Sequence, residues 1–354
     1  MNQSIIKAFD SFTKRISEKY NIPHEELWNL LWQQDSRSSY YDTQHHLHLG
    51  LCCINTILRQ SKPTIFTSRS CTRKTFSVAK VTELSLQNVR DLVPMIEWNQ
   101  QHGIRCFRLS SCMFPHFTDP ETESFTIDFA MPDLQKAGAL AKSYGHRILM
   151  HPGQFNQVGA ISPTVFQKTI EELSHHASIL EAMGIDHNGV LIVHGGGMYG
   201  DKTKTMERWI DNYFRLPECV QKRLVIENCE KCYNLEDVLY ISQQVSARGG
   251  TLPVVFDNHH YICYNKLHPS ETVKPITDLI PEVLKTWGDR RPVMHISEQG
   301  SGRCGHHSDY ITEIPEYFLE IPQKYKVSFD LEVEAKAKEQ AIFTLYSKYP
   351  FLCP

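Results

Sequence analysis

The sequence predicts an α/β fold, a TIM (β/α)8 barrel preceded by an N-terminal helical extension. Short apolar runs alternate with longer amphipathic segments from about residue 47 onward, and this pair occurs eight times in a row. The apolar runs are continuous, which is typical of parallel strands that are buried on both faces. Eight such units fit a closed barrel better than an open sheet. No glycine-rich phosphate-binding pattern follows the first strand, which argues against a dinucleotide-binding fold.

The strands and helices are predicted in chain order from these patterns. Residues 1–44 are predicted to form the helical extension, because Phe9, Phe12 and Ile16 have helical spacing before Pro23 interrupts the run. Residues 45–350 are predicted to form the barrel. Its strands are predicted at residues 47–54, 106–109, 148–150, 190–193, 224–226, 253–256, 292–294 and 327–333. The helices that follow them are predicted at residues 86–101, 132–144, 165–183, 205–220, 235–245, 276–287, 314–321 and 339–348.

Composition and charge narrow the class of protein. The 354 residues are 41% hydrophobic and 22% charged, as in ordinary globular proteins. No segment resembles a secretion signal or a membrane span, so we expect an intracellular, non-secreted protein, and we expect a monomer. An odd number of cysteines, 11, makes a disulfide framework improbable. Because the net charge is −3, any positive surface for DNA must be local, and residues 69–80 are a candidate.

The informative feature is how the predicted strands end. Six of them end in a histidine or a carboxylate, namely His151, His194, Glu227, Asp257, His295 and Glu334. In a barrel of this kind the carboxyl ends of all strands meet at one face, where the active site lies. Carboxylates crowded together repel one another unless cations lie between them. The pattern therefore predicts a metal site at the barrel mouth.

The ligand types and their number indicate a cluster of two or three divalent ions. Imidazole and carboxylate ligands without thiolate suit manganese, which we take as the first choice, as well as magnesium, zinc or iron. Clusters of this kind hydrolyse phosphodiesters. Two histidine doublets, at residues 259–260 and 306–307, follow predicted strands, and one member of each could reach the same mouth.

Together these residues resemble the UV damage endonucleases, TIM-barrel repair enzymes related to endonuclease IV. The resemblance covers residues 47–342 and rests on an ordered set of motifs rather than on any single one. The motifs are Arg108-Leu-Ser-Ser, His151-Pro-Gly-Gln154-Phe155, His194-Gly-Gly-Gly-Met-Tyr-Gly-Asp-Lys202, Glu227-Asn228, Asp257-Asn-His-His260, Met294-His-Ile-Ser-Glu298, His307-Ser-Asp-Tyr310 and Glu334-Ala-Lys336-Ala-Lys-Glu339.

The resemblance implies hydrolysis of UV-damaged double-stranded DNA on the 5′ side of a pyrimidine photoproduct, leaving a 3′-hydroxyl and a 5′-phosphate. It implies eight metal ligands, which are His151, His194, Glu227, Asp257, His260, His295, His307 and Glu334. Within this set, His194, Glu227, His295 and Glu334 are the residues that we expect to be catalytic. The resemblance also implies contacts with DNA or the lesion from Gln154, Phe155 and Asn55. Separately, we expect Lys202 and Lys336 to position phosphates, and a salt bridge at the barrel rim is the alternative for each.

The chain departs from the family pattern at three positions. Val293 stands where the family has a metal-linked lysine, two residues before His295. Cys112 follows the Arg-Leu-Ser-Ser motif in place of a histidine or aspartate, and Leu51 replaces an aromatic residue of some relatives. The first two changes remove possible metal ligands.

Two other functions remain open on the sequence alone. One is a metal-dependent sugar isomerase on the same barrel, and the other is a damaged-DNA binding protein with impaired catalysis. Phe155 could act as a wedge that fills the gap left by a displaced base, and Gln154 could bond a base edge. These two residues and the basic segment at residues 69–80 favour DNA over a small sugar as the substrate. Retention of the other ligand positions favours an active enzyme.

Overall fold

The structure, a computed structural model, describes residues 46–353 and isolated residues between 10 and 24. The predicted helical extension over residues 1–44 lies almost wholly outside the described residues, so the division at residue 44 stays a prediction. Within the described part, eight parallel strands close into a barrel in chain order, and the predicted TIM barrel is confirmed.

The strands are short, and each is almost wholly buried because helices cover the outside of the barrel. They are β1 Leu47–Cys52, β2 Cys106–Leu109, β3 Arg147–Met150, β4 Leu191–His194, β5 Leu224–Glu227, β6 Val254–Asp257, β7 Val293–Ile296 and β8 Phe329–Val333. Strand β8 pairs with both β7 and β1, which closes the barrel.

The α-helices cover the barrel in the same order as the strands that they follow. They are α1 Thr56–Arg59, α2 Val78–Arg90, α3 Leu92–Gln101, α4 Met131–Ser143, α5 Pro163–Ala182, α6 Lys202–Tyr213, α7 Glu218–Gln221, α8 Leu235–Ala247, α9 Asn258–Leu267, α10 Ile276–Thr286, α11 Glu316–Tyr325 and α12 Glu339–Lys348. None of the helices in the described part of the chain has the length and apolar character needed to cross a membrane.

Several helical regions differ from the predictions. The predicted helix at residues 205–220 is two helices, α6 and α7, on either side of residues 214–217. The predicted helix at residues 86–101 is two helices, α2 and α3, that meet at Asp91. Pro94 lies in the first turn of α3, where its missing N–H is tolerated, whereas inside one continuous helix it would break a hydrogen bond. Helix α9 was not predicted, because its buried face is polar and carries Asn258, His259 and His260 rather than an apolar stripe.

The barrel interior has an apolar layer directly beneath the mouth. A small core cluster, separate from the core that packs against the helices, contains Cys106, Leu149, Ile192, Val225, Val255 and Val293. Side chains two residues apart on a strand point to the same side. Two residues further along the same strands therefore lie the polar side chains that face the mouth, which are Arg108, His151, His194, Glu227, Asp257 and His295.

The opposite end of the barrel is closed by a buried ion network around Asp330. Its carboxylate lies 2.9 Å from Nη1 of Arg147, 2.8 Å from Nε of Arg291 and 3.4 Å from Nδ1 of His48. Burial raises the pKa of Asp330, but Arg291 and the other cations lower it more, so the pKa is well below its ordinary value. Paired charges at this end of a barrel serve stability rather than chemistry.

Candidate metal centre at the barrel mouth

The strand ends bring the predicted side chains together at one face. Six of them lie at the carboxyl ends of β3 to β8, and these are His151, His194, Glu227, Asp257, His295 and Glu334. His260 joins them from the first turn of α9, where Asp257 is the N-cap residue and accepts a hydrogen bond from the backbone N–H of His260 at 2.7 Å. His307 approaches from the loop that follows β7.

Glu227 lies at the centre of the cluster and is fully buried. One carboxylate oxygen is 3.0 Å from Nε2 of His151 and 3.8 Å from Nδ1 of His194. The other is 3.2 Å from Nδ1 of His260 and 3.1 Å from Nδ1 of His295. A single carboxylate therefore faces four imidazoles, and both of its oxygens are placed where they could act as metal ligands.

Two further carboxylates face the same space. Oδ2 of Asp257 lies 3.7 Å from Nδ1 of His260 and 3.8 Å from Nδ1 of His295. Oε1 of Glu334 lies 3.7 Å from Nδ1 of His295, and Oε2 is 3.8 Å from Nε2 of His307. These distances are too long for good hydrogen bonds but suit ligands that share an ion.

The ligand atoms form overlapping groups of three. In each group the atoms lie within 4.8 Å of one another; the groups are His151, His194 and Glu227, then Glu227, Asp257 and His260, then Asp257, His295 and Glu334. Glu227 and Asp257 each belong to two groups, so neighbouring ions could share them. Each of the three overlapping groups could therefore hold a metal ion.

Buried polar atoms without hydrogen-bond partners indicate whether the residues of the cluster are suited to bind a metal ion. Oδ2 of Asp257 and Nδ1 of His194 are buried and have no hydrogen-bond partner. Leaving a buried polar atom unpaired costs free energy, so native proteins rarely do it without a reason. Both residues belong to the groups of three, and both atoms are good ligands for a divalent cation. The residues present therefore fit a metal cluster.

The charged groups of the cluster shift one another's pKa values. Burial raises the pKa of Glu227, but His194 and His295 lower it more, to well below its ordinary value. Glu334 behaves alike, with Arg108 as the main opposing charge. Burial lowers the pKa of His295, yet Glu227 and Glu334 raise it well above the ordinary value. His194 is different, because burial dominates and lowers its pKa to about 4. The carboxylates and His295 thus stabilise each other's charged forms, and metal binding would require His295 to release a proton.

The loop after β3 presents an exposed aromatic ring beside this cluster. Phe155 is 84% exposed, and Gln154 before it is also exposed. The loop is nevertheless fixed, because Nε2 of Gln157 donates to the carbonyl of Gln154 at 2.8 Å and Nδ2 of Asn156 donates to the carbonyl of Gly153 at 2.8 Å. Among the large hydrophobic side chains of the described residues, Phe155 has the highest exposed fraction, and its contact with DNA stays a prediction.

Gln157 also ties this loop to the glycine-rich loop after β4. Its Oε1 accepts a hydrogen bond from the backbone N–H of Gly197 at 2.8 Å. Gly196 has a positive φ of 88°, and a Cβ on Gly195 would lie 2.6 Å from the ring of Tyr233. The glycines of this loop are therefore required by a left-handed turn and a close approach. Sequence reasoning missed Gln157, because a polar residue in a loop has no distinguishing pattern.

The other residues predicted to contact DNA differ in exposure and in the partners that they already have. Nζ of Lys202 lies 2.5 Å from Asp237 and 3.1 Å from the hydroxyl of Tyr264, so its charge is already paired. Asn55 is buried and caps α1, accepting a hydrogen bond from the backbone N–H of Leu58 at 2.8 Å. Lys336 is exposed. A DNA contact stays a prediction for all three, and Lys336 has the setting that suits it best.

The structure also shows where two residues that differ from the family pattern, Val293 and Cys112, and the basic segment lie. Val293 is buried in the apolar interior layer, and Cys112 is exposed. Neither belongs to a metal-holding group among the described residues. In the segment at residues 69–80, Arg69 lies 2.7 Å from Asp91, and Arg73 lies 2.7 Å from Asp119. Neighbouring carboxylates neutralise much of the charge, so this segment supports DNA binding less than its sequence indicates.

A closed eight-stranded barrel whose mouth gathers imidazoles and carboxylates in groups that could hold a metal ion belongs to the class of TIM barrels. Within that class the chain belongs to the UV-endonuclease UvdE family, because the sequence model of that family matches residues 47–352. The predicted family is thereby confirmed.

Individual relatives agree with this assignment. A protein of Acanthamoeba polyphaga mimivirus, named as a candidate UV-damage endonuclease, is 37% identical over an alignment of 318 residues, and the match covers 86% of this chain and 92% of that protein. The UV-damage endonuclease of Schizosaccharomyces pombe is 35% identical; the match covers 86% of this chain and 51% of that protein, about half its length. The crystal structure of SacUVDE is 30% identical, with a TM-score of 0.73, and the match covers 86% of this chain and 98% of that one. Endonuclease IV from Thermus thermophilus shares the fold, with a TM-score of 0.52 and 14% identity over 87% of this chain and 98% of that one.

Proposed function

We propose that this protein is a UV-damage DNA endonuclease that hydrolyses the phosphodiester on the 5′ side of pyrimidine photoproducts with the help of a divalent metal cluster. The observation that carries the proposal is the convergence of eight predicted ligands at the barrel mouth in a chain of the UV-endonuclease family. Relatives named UV-damage endonucleases support the DNA substrate. We propose manganese as the first choice of metal, with magnesium, zinc or iron as alternatives.

The carboxylates and histidines at the barrel mouth are proposed to hold the metal ions. Glu227, with Asp257 and Glu334, supplies the carboxylates that would hold the ions, and the surrounding histidines complete the set. Ions bound there would lower the pKa of a water and offset the negative charge that develops on the phosphate. Glu227 and Asp257 are fully buried, so bulk water is excluded around them and their electrostatic influence on the site is strong.

Recognition of the lesion is assigned to the loop after β3. The ring of Phe155 has the size and exposure needed to stack in the gap left by a displaced base. The amide of Gln154 can bond a base edge beside it. A sugar isomerase needs an enclosed pocket for a small polyol, and an 84% exposed Phe155 at the rim is the feature that disfavours that alternative.

The proposal is tested by mapping the cut. Metal-loaded protein is incubated with end-labelled duplexes that carry one pyrimidine photoproduct or none, and the products are sized. We expect one nick, 5′ to the lesion, in the damaged duplex only. A polymerase should extend the new 3′ end and a ligase should accept the 5′ end. Lesion-selective binding without a nick under Mn²⁺, Mg²⁺, Zn²⁺ and Fe²⁺ would instead establish a binding protein.

A further inference from the structure

Glu332 is a buried carboxylate that sequence reasoning passed over. It lies on β8 two residues before Glu334, and its exposed fraction is zero. In the ladder with β1 it is opposite Gly50, which is in turn opposite Cys106 of the apolar interior layer. Placing a carboxylate in such a layer is costly unless specific partners stabilise it.

The partners of Glu332 lie at or next to the mouth. Its Oε2 lies 3.0 Å from Nε2 of His295, an ion pair without hydrogen-bond geometry whose two atoms have no other hydrogen-bond partner, and 3.6 Å from Nη1 of Arg108. Sγ of Cys52 lies 3.8 Å from its Oε1. In the ladder between β7 and β8, Glu332 is directly opposite His295. Arg108 also lies 2.5 Å from Glu334, so one guanidinium holds both carboxylates of the strand.

The two nitrogens of His295 therefore face different surroundings. Nδ1 faces the cluster, at 3.1 Å from Glu227, 3.7 Å from Glu334 and 3.8 Å from Asp257. Nε2 faces away from the cluster and towards Glu332. A neutral imidazole carries its proton on one nitrogen only, and a carboxylate beside one nitrogen selects that position for the proton. The other nitrogen is then free to bind a metal.

We propose that Glu332 is a positioning residue of the metal centre, which holds His295 with its proton on Nε2 and its Nδ1 directed at the ions. This inference rests on the metal-dependent function proposed above. Glu332 itself binds no ion; it fixes the tautomer and the ring orientation of a ligand and increases the basicity of that ligand. Val293, in the same layer, offers no polar group for this purpose.

The test measures metal binding without DNA. Affinity for Zn²⁺ alone is determined by competition with a chelator for wild type, Glu332→Met and Glu332→Gln. Methionine keeps the length of the side chain but cannot accept the proton, so we expect affinity to fall by about 10–100-fold. Glutamine keeps an oxygen acceptor without the charge, so we expect a smaller loss. The matched control is Asp330→Asn, a buried carboxylate two residues earlier on the same strand, and it should leave affinity unchanged.

A spectroscopic readout separates positioning from a general structural role. Proton–nitrogen correlation spectra of the zinc-loaded protein should show His295 protonated on Nε2 in wild type and in Glu332→Gln, and a mixture of tautomers or a shifted ring in Glu332→Met. If circular dichroism shows that Glu332→Met does not fold, the role of Glu332 is decided by comparing Glu332→Gln with Asp330→Asn.

Each outcome has one meaning. Wild-type affinity and an unchanged His295 tautomer in the folded Glu332 variants would overturn the role of Glu332 while leaving the proposed endonuclease intact. Failure of wild-type protein to bind Zn²⁺, Mn²⁺ or Mg²⁺ would overturn the metal-dependent function and this inference together. A graded loss from glutamine to methionine, with the Asp330 control unchanged, supports the inference.

Discussion

Replacement of Glu227 with glutamine is expected to abolish lesion-dependent nicking and to remove metal from the purified protein. Glu227 is fully buried and its carboxylate faces four imidazoles at 3.0 to 3.8 Å, which places it between most of the predicted ligands. A metal cluster contributes several kcal/mol to stabilising the transition state. Since each ~1.4 kcal/mol is tenfold in rate, we expect a loss of at least about 10³-fold in kcat/KM.

The control for this variant is Glu218→Gln, which alters a carboxylate that is exposed on α7 and pairs with Lys222 at 2.7 Å. It should match wild type in both metal content and nicking. Metal content is read by elemental analysis, and folding by circular dichroism. A Glu227→Gln protein with full metal content and full nicking would show that the proposed cluster is wrong.

Replacement of Phe155 with alanine is expected to lower cleavage of damaged DNA while leaving metal binding unchanged. Stacking of an aromatic ring on a base contributes about 1–3 kcal/mol, which corresponds to a loss of about 5–150-fold in kcat/KM. Because the ring is 84% exposed, its removal leaves no cavity, and the thermal stability should equal that of wild type. Steady-state kinetics on a duplex with a single photoproduct measure the effect.

Two control variants show whether the effect comes from the aromatic ring at position 155. Phe155→Tyr keeps the ring and should retain near wild-type activity, whereas Tyr240→Ala removes a 44% exposed ring from α8 and should change nothing. A fluorescent base placed opposite the lesion should report unstacking with wild type and not with Phe155→Ala. Equal kcat/KM for Phe155→Ala and wild type would show that Phe155 does not act as a wedge.

The barrel itself could be predicted because its strands are buried on both faces, which produces continuous apolar runs that are easily recognised in the sequence. The ends of those runs are equally visible in the sequence, and six polar residues follow them directly. The barrel topology then places them at one face without further information. His260 and His307 needed the family resemblance, since each belongs to a doublet whose members the sequence does not distinguish.

What could not be predicted depends on contacts between distant segments. Helix α9 begins because Asp257 caps it, and its buried face is polar, so no apolar periodicity marks it. Glu332 lies inside a strand, where a charged residue suggests a solvent-facing position, and only the register with His295 shows its partner. Lys202 and Arg69 looked available for DNA, but Asp237 and Asp91, more distant in the sequence, pair with them.

The cluster at the barrel mouth is proposed to hold the ions that cut damaged DNA. The most direct measurement compares nicking of a duplex with a single photoproduct by protein stripped of metal, confirmed by elemental analysis, before and after addition of Mn²⁺. We expect no nick from the stripped protein, recovery on addition of Mn²⁺, and no recovery for Glu227→Gln. Full nicking by the metal-free protein would contradict the proposed role of the cluster.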